Sequence, residues 1–425
     1  MKPYKNYTVA EWLYELENRH QQEIQLGLAR VKQVAASLGL LHPNARVISV
    51  AGTNGKGSAV ASLEAIYLAA GYQVASYTSP HLFSFNERIK INQRPITDEE
   101  MVNAFCVVEE ARASTPLTYF EMATLAALWH FKNYPLDLII LEVGLGGRLD
   151  ATNIIDADLA IITTVDFDHQ EFLGDNKEAI GFEKAGILRQ DRPFIFADKN
   201  IPESILAHSH LLGCSMYLYS QDYDWQINNK IFKFSSKNQV ITIPEPVLHP
   251  NSIAAAIMAC LCMREKLPLS NAQIANGLKS LFLPGRLELQ HKEQIKVLFD
   301  VSHNPQAVNY MADYIRKLQC EGTVHAVFSA LRDKDISGLV APLIEEVGYW
   351  YPALLTGKRA PSAEQFSMVF SNYGIVPVYY SDPVLAYQAA CNRANAGDLI
   401  IVYGSFITVG HVMSAIQKPA RLKET

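Results

Sequence analysis

Apolar positions recur along this chain in two rhythms, and their order predicts its architecture. Residues 9–19 and 24–38 carry them at helical spacing, with Gly39 as a stop. Short continuous apolar runs follow at 46–50, 73–77, 136–143, 159–165 and 193–197, with helical patterns between them, including 59–70, 99–112 and 120–133. Continuous runs separated by helices predict a mostly parallel sheet covered on both faces. Residues 214–243 alternate polar with aromatic and branched side chains (Tyr217, Tyr219, Trp225, Ile227, Ile231, Phe232, Phe234), which predicts a small antiparallel insert. Residues 251–266 return to helix. Pro284-Gly285-Arg286 then breaks the pattern, and a second series of runs begins at 295–299, 324–328, 350–355, 376–380 and 399–403. The fold class expected is α/β: a P-loop domain with a small antiparallel insert, then a second Rossmann-like α/β domain. The boundary falls at 285–295, giving domains 1–288 and 289–425. Ligands in such sheets bind beyond the carboxyl ends of the strands, where the motifs below all lie.

The most informative segment is Ala51-Gly52-Thr53-Asn54-Gly55-Lys56-Gly57-Ser58, between a buried strand and a helix. Its three glycines let backbone N–H groups converge at a helix N-terminus, a binding point for polyphosphate. Lys56 suits the outer phosphates, and a hydroxyl suits magnesium. The generic pattern ends Gly-Lys-Ser/Thr, whereas Gly57 here intervenes between Lys56 and Ser58.

Other polar groups gather at strand ends. Glu142 closes an apolar run before Gly144-Leu145-Gly146-Gly147-Arg148-Leu149-Asp150, a position suited to a magnesium ligand or a water-holder. Asp166, Asp168 and His169 follow the next run. Asp300 and His303 do the same in the second series, where Arg286 sits at the break and Gly404-Ser405-Phe406 follows the last strand. Ser79-Pro80-His81-Leu82 and the aromatic pair Tyr119 and Phe120 with Glu121 offer a surface for a flat heteroaromatic ligand. Glu183-Lys184 alone is the pattern of a solvated helix face.

Bulk properties narrow the class. With 425 residues, two domains are expected. A net charge of −6 supplies no basic field for nucleic acid or an anionic membrane, so an anionic substrate must be held by local groups. The six cysteines lack zinc-site spacing and suit a reducing cytoplasm. Residues 1–7 have no apolar signal region and no run approaches a membrane span, so a cytoplasmic protein is expected.

Taken in order, AGTNGKGS, YTSPHL, LTYFE, ILEVGLGGRLDATN, DHQEFLG, EKAGI, LPGR, DVSHNP, LRDKD and VYGSF resemble the folylpolyglutamate synthase/dihydrofolate synthase family of the Mur ligase superfamily. The resemblance spans residues 51–406. It implies a ligase that uses ATP and Mg2+ to join L-glutamate to dihydropteroate or a reduced folate through an acyl phosphate. By the same resemblance, Gly52, Thr53, Asn54, Gly55, Lys56, Gly57 and Ser58 hold nucleotide phosphates, and Asn251, Arg286 and Asp300 contact the nucleotide, with His303 beside them. Ser58, Glu142, His169 and a carbamylated Lys184 ligate the metal. The residues Ile24, Gln25, Leu26, Ser79, Thr118, Tyr119, Phe120, Glu121, Arg148, Leu149, Asp150 and Ala151 match pterin-contacting regions, and Ser405 lies toward glutamate. The implied catalytic groups are Lys56, Lys184 and His303. Gln25 departs from the family pattern, which resembles Ile-Asp-Leu-Gly-Leu, and Ser302 replaces a small Ala. LTYFE favours the bifunctional enzymes. A chain-extending ligase for folates alone, motivated by Gln25, and a nucleotide-dependent switch are the alternatives. No dimer is required, so a monomer without nucleic-acid or membrane partners is expected.

Overall fold

The computed structural model describes residues 4–19, 25–237, 239–279, 281–357 and 360–417. The chain divides into two compact units, Met1–Phe282 and Leu283–Thr425.

The first unit is built on an eight-stranded sheet of β1 (Arg46–Ala51), β2 (Val74–Tyr77), β3 (Ile89–Ile91), β4 (Arg94–Pro95), β5 (Leu138–Glu142), β6 (Leu159–Ile162), β7 (Phe194–Phe196) and β8 (Met216–Leu218). Its order is β4-β3-β2-β5-β1-β6-β7-β8, and only β3 and β4 pair antiparallel. The central strands β1, β5 and β6 are almost wholly buried, which is why they read as largely apolar runs. β1 is flanked by β5 and β6, and the nucleotide-loop motif leaves its carboxyl end between their ends. Trp12, Val31, Phe105, Leu125 and Phe131 from the N-terminal and flanking helices pack one face of this sheet.

The antiparallel insert is present, as β9 (Tyr223–Asn228), β10 (Ile231–Ser236) and β11 (Gln239–Pro244) in the order β11-β10-β9. Its first predicted stretch belongs elsewhere: β8 extends the large sheet in parallel with β7. Two further expectations are corrected. The second N-terminal helix spans Ala29–Ser37, shorter than 24–38, and residues 20–24 lie outside the described residues. The strand expected at 376–380 is absent except for one bridge from Tyr380 to Ala353. Val376 and Val378 are 95% and 68% exposed, and Pro377 between them has no N–H for a ladder.

The second unit holds a five-stranded sheet of β12 (Glu288–Lys292), β13 (Ile295–Asp300), β14 (Val324–Phe328), β15 (Val347–Pro352) and β16 (Leu399–Tyr403). Its order is β12-β13-β16-β14-β15, with β12 antiparallel at the edge opposite β15. Asp398, just before β16, ties the sheet's amino-terminal side together. Its carboxylate accepts from the backbone N–H of Thr323 (2.7 Å) and of Asn395 (2.7 Å) and faces His325 Nε2 at 3.1 Å. Burial opposes its ionisation, but the two N–H groups and His325 outweigh burial and hold the carboxyl below its usual range. A depressed folded pKa contributes stability above the ordinary carboxylate range, lost as pH falls through the depressed value. Asp398→Asn is therefore expected to lower the urea midpoint at pH 7 and to have a smaller effect near pH 3. An equal loss at both pH values is the contrary result.

Candidate functional site

The nucleotide loop takes its shape from two places where only glycine fits. Gly52 has φ +148° and a Cβ there would lie 1.8 Å from Thr163 Oγ1; Gly55 has φ +86° and its Cβ would lie 2.4 Å from Ser252 Oγ. The loop is stitched to the segment after β6. Thr53 N donates to Thr164 O (2.9 Å), Asn54 N to Thr164 Oγ1 (2.9 Å), Thr163 Oγ1 to Asn54 O (2.6 Å) and Thr53 Oγ1 to Asp166 O (3.0 Å). Thr163, Thr164 and Ser252 thus shape the loop. The two threonines fall inside the 159–165 run, and the sequence gave neither them nor Ser252 a separate signal.

Gly55 caps the helix Lys56–Ala69 in a left-handed conformation without a side-chain cap, so the first N–H groups of that helix point outward from Lys56, Gly57 and Ser58. Lys56 Nζ arches back to Gly52 O (2.8 Å) and Thr53 O (3.1 Å), placing its charge over the loop. Ser58 is 5% exposed. Exposed N–H groups, a cation and a hydroxyl at one helix end match the needs of a polyphosphate and its counter-ion.

Glu142, 4% exposed, ends β5 and accepts from Ser79 N at 3.2 Å, which brings two candidates from separate strands together. His169 has φ +50° at the start of the short helix Gln170–Leu173, with its Nε2 3.8 Å from Asp168 Oδ1. Lys184 lies near the end of the helix Lys177–Ala185, 3% exposed. Burial, with Lys56 adding repulsion, pushes its amine down to about 7, and Asp168 acts the other way. These couplings place Lys184 among Lys56 and Asp168 rather than on the solvated face its sequence suggested. Among the described residues no three His, Cys, Asp or Glu side chains gather as a metal cage. The donor set nonetheless suits magnesium, a hard cation that keeps phosphate oxygens and waters and needs few protein ligands.

The aromatic wall of the first unit is held by capping. Thr118 starts the helix Tyr119–Lys132 with a capping box, in which Thr118 N donates to Glu121 Oε2 (2.8 Å) and Glu121 N to Thr118 Oγ1 (3.3 Å). Arg30 Nη2 clamps Glu121 Oε1 (2.9 Å) to the backbone carbonyl of Gln25 (2.9 Å). Arg30 carried no motif and was missed in the sequence; the long-range partner that gives it meaning is 91 positions away. Phe120 covers Gly144, where a Cβ would lie 2.5 Å from the ring, and faces Tyr77 at 5.8 Å. Gly27 N reaches Leu149 O at 3.5 Å, so Leu26 and Leu149 belong to adjoining segments. Ile24 lies outside the described residues.

Arg148 pairs with Glu183 (Nη2 to Oε1, 2.8 Å) and lies over Phe182. Asp150 is 3% exposed and spends both oxygens on its own loop, accepting from Leu145 N (2.9 Å), Thr152 N (3.0 Å) and Thr152 Oγ1 (2.7 Å). Burial pushes its carboxyl above the usual range against those bonds. Ala151 opens the short helix that Asp150 caps. Asn251, at the start of the helix Pro250–Cys262, accepts from Trp225 Nε1 (2.9 Å), so the insert buttresses it.

In the second unit the predicted residues converge by themselves. The Arg286 guanidinium lies 4.8 Å from the centre of the Phe406 ring, and His303 lies 5.9 Å from the same ring. Asp300, 6% exposed, accepts from Leu287 N (2.8 Å) and Ser302 N (2.8 Å) and bonds the Ser302 hydroxyl. Burial pushes its carboxyl up, while Ser302 and Arg286 pull it down. His303 Nδ1 donates to Val301 O at 2.9 Å. Ser405 is buried against Thr408 (Oγ to Oγ1, 2.7 Å) at the start of the last helix.

The chain is also similar to known proteins. Residues 50–256 match the Mur ligase middle domain and residues 285–406 the Mur ligase glutamate ligase domain. The chain is 41% identical over 409 residues to the dihydrofolate synthase/folylpolyglutamate synthase of Escherichia coli, covering 96% of this chain and 95% of that one. It is similar to the structure of E. coli FolC in complex with DHPP and ADP, with a TM-score of 0.93, 40% identity and coverage of 98% and 99%. A bifunctional folylpolyglutamate synthase/dihydrofolate synthase with Mn, AMPPNP and L-glutamate bound matches with a TM-score of 0.91, 40% identity and coverage of 98% and 100%. The chain therefore belongs to the dihydrofolate synthase/folylpolyglutamate synthase family of Mur ligases, and it is an ATP-dependent ligase.

Proposed function

We propose that this chain joins L-glutamate first to dihydropteroate and then to reduced folates, using ATP. The observation that carries this reading is the convergence, in one unit, of the Lys56 loop, buried Glu142 and buried Lys184 beside the aromatic wall of Tyr119 and Phe120. A pure nucleotide switch has no use for the last three.

A carboxylate oxygen of the folate substrate attacks the γ-phosphorus of ATP. The bond from that phosphorus to the bridging oxygen breaks, and ADP leaves from an acyl phosphate. The amine nitrogen of L-glutamate then attacks the acyl carbon, phosphate departs with its oxygen, and the amine loses a proton. The N–H groups of residues 55–58 bind the phosphates, and Lys56 follows the negative charge from the loop carbonyls to the transferring group. Ser58, Glu142, His169 and Lys184 as its carbamate would hold magnesium, which would supply positive charge against the charge gathering on phosphate. Asn251, Arg286 and Asp300 hold the nucleotide. His303 is oriented through its Nδ1–H to Val301 O, so Nε2 is the basic nitrogen for the amine proton. Residues 25–26, 118–121 and 148–151 with Ser79 form the pterin side, and Ser405 lies toward glutamate. The first unit, Met1–Phe282, carries the phosphate-loop and pterin residues, and the second, Leu283–Thr425, carries Arg286, Asp300, His303 and Ser405. The protein acts as a cytoplasmic monomer without nucleic-acid or membrane partners. Its charge of −6 supplies no basic field for nucleic acid or an anionic membrane.

Phosphate release with magnesium, ATP and L-glutamate is expected with both dihydropteroate and tetrahydrofolate. The fixed backbone of Gln25, clamped by Arg30, supports tolerance of its side chain, and Gln25→Asp should change the dihydropteroate KM by less than about tenfold. Turnover with tetrahydrofolate alone reduces the assignment to chain extension. Turnover indifferent to L-glutamate removes the ligase reading.

A further inference from the structure

One buried cation beside the aromatic wall has no role in the chemistry above. Arg88, at the end of the turn before β3, is 9% exposed, yet no carboxylate pairs with it among the described residues. Its guanidinium lies 5.0 Å from the Phe85 ring centre and 5.6 Å from that of Tyr119, and its Nε donates to His81 Nδ1 at 3.0 Å. A buried arginine without an acid is costly unless its position serves another group.

That group is His81. An arginine nitrogen can only donate, so Nδ1 must carry its lone pair and the ring proton must sit on Nε2. The His81 ring meets Phe85 edge-on at 5.8 Å, and Phe85 meets Tyr119 edge-on at 5.7 Å, so the imidazole joins the same aromatic wall. It lies two residues from Ser79, so its segment runs from the aromatic wall to the residue whose N–H holds Glu142. Burial and Arg88 push its pKa down to about 4, with Glu87 acting the other way, so the ring stays neutral at physiological pH.

We infer that Arg88 is a positioning residue that locks His81 as a neutral Nε2–H donor, and that this N–H binds an acceptor oxygen of the pteroyl substrate. The inference rests on the folate-ligase reading and adds a specificity-determining residue to it. A neutral donor suits this position better than a charged one. It orients a carboxylate or carbonyl without holding back the electron pair that must attack phosphorus.

Two measurements test it. In ligand-free protein labelled at histidine nitrogens, NMR at pH 7 should show His81 with a bare Nδ1 and a protonated Nε2. Arg88→Lys should release that lock into a mixture of tautomers. Dihydropteroate affinity should fall about tenfold in His81→Ala, recover in His81→Gln, which restores an N–H donor, and leave ATP affinity unchanged. A proton on Nδ1, or unchanged dihydropteroate affinity in His81→Ala, overturns the inference while wild-type turnover still upholds the ligase. A wild type that neither binds nor turns over dihydropteroate or tetrahydrofolate overturns both the ligase reading and the substrate contact.

Discussion

Lys56→Ala is expected to lower kcat/KM for ATP by about a thousandfold, the scale on which removing one well-placed charge from a phosphoryl transfer acts. The Lys56 ammonium bonds carbonyls of its own loop, Gly52 O at 2.8 Å and Thr53 O at 3.1 Å. The loop's shape is set instead by Thr163, Thr164 and the backbone of Asp166. Thermal unfolding of the variant should accordingly stay within a few degrees of wild type, the range of a substitution that opens no cavity. Steady-state phosphate release and a melting curve on the same preparation check both parts. Activity within tenfold of wild type refutes the role given to this loop, and a collapse of the melting temperature would make Lys56 a structural residue.

Lys184→Ala is expected to cost about a hundredfold or more in kcat, with partial recovery on adding a short carboxylic acid such as acetate. The physical case is local. An amine that is 3% exposed, with Lys56 near enough to repel its charge, is poorly placed as a cation. Addition of carbon dioxide to the neutral amine forms an N–C bond, releases a proton and turns the site anionic, which relieves that repulsion and creates an oxygen ligand. Acetate in the space left by alanine supplies the same oxygen chemistry without the chain. Two readouts separate this from a loss of packing. Wild-type activity should fall when dissolved carbon dioxide is stripped and return with bicarbonate, and Lys184→Arg, which keeps the charge, should not restore turnover. Full activity in Lys184→Ala, or indifference of wild type to bicarbonate together with no rescue by acetate, refutes the carbamate.

Both predictions concern residues whose meaning reached the sequence by different routes. Lys56 is legible from local order, because strand, glycine loop and helix are consecutive and the phosphate-binding geometry follows from backbone alone. Lys184 is not, since a Glu-Lys pair on a helix reads as solvated. Only the resemblance singled it out, and only the packing of its helix buries it.

The same division runs through the fold. Buried parallel strands such as β1 and β5 announce themselves, because both faces are covered and apolar residues dominate them. Edge elements do not. The 376–380 run has strand composition but remains in solvent around Pro377, while β12, with Glu288, Gln290, His291 and Lys292, forms an antiparallel edge that its polar sequence hides. An edge strand is decided by which neighbour offers a free ladder, and that is not a property of its own residues.

By itself, the sequence determined the α/β class, the order of the buried parallel strands and the helices between them, the antiparallel insert and the nucleotide loop. Each of these is written in contiguous periodicity or in glycines at required positions. Tertiary structure alone decided that Arg30 joins Gln25 to Glu121, that Ser252 closes against Gly55, that Asp150 is consumed by its own loop, and that Arg88 turns His81 into a donor. Those contacts link positions by direction and distance across the fold. A one-dimensional pattern carries the residue type and not the partner that determines its charge, tautomer or use.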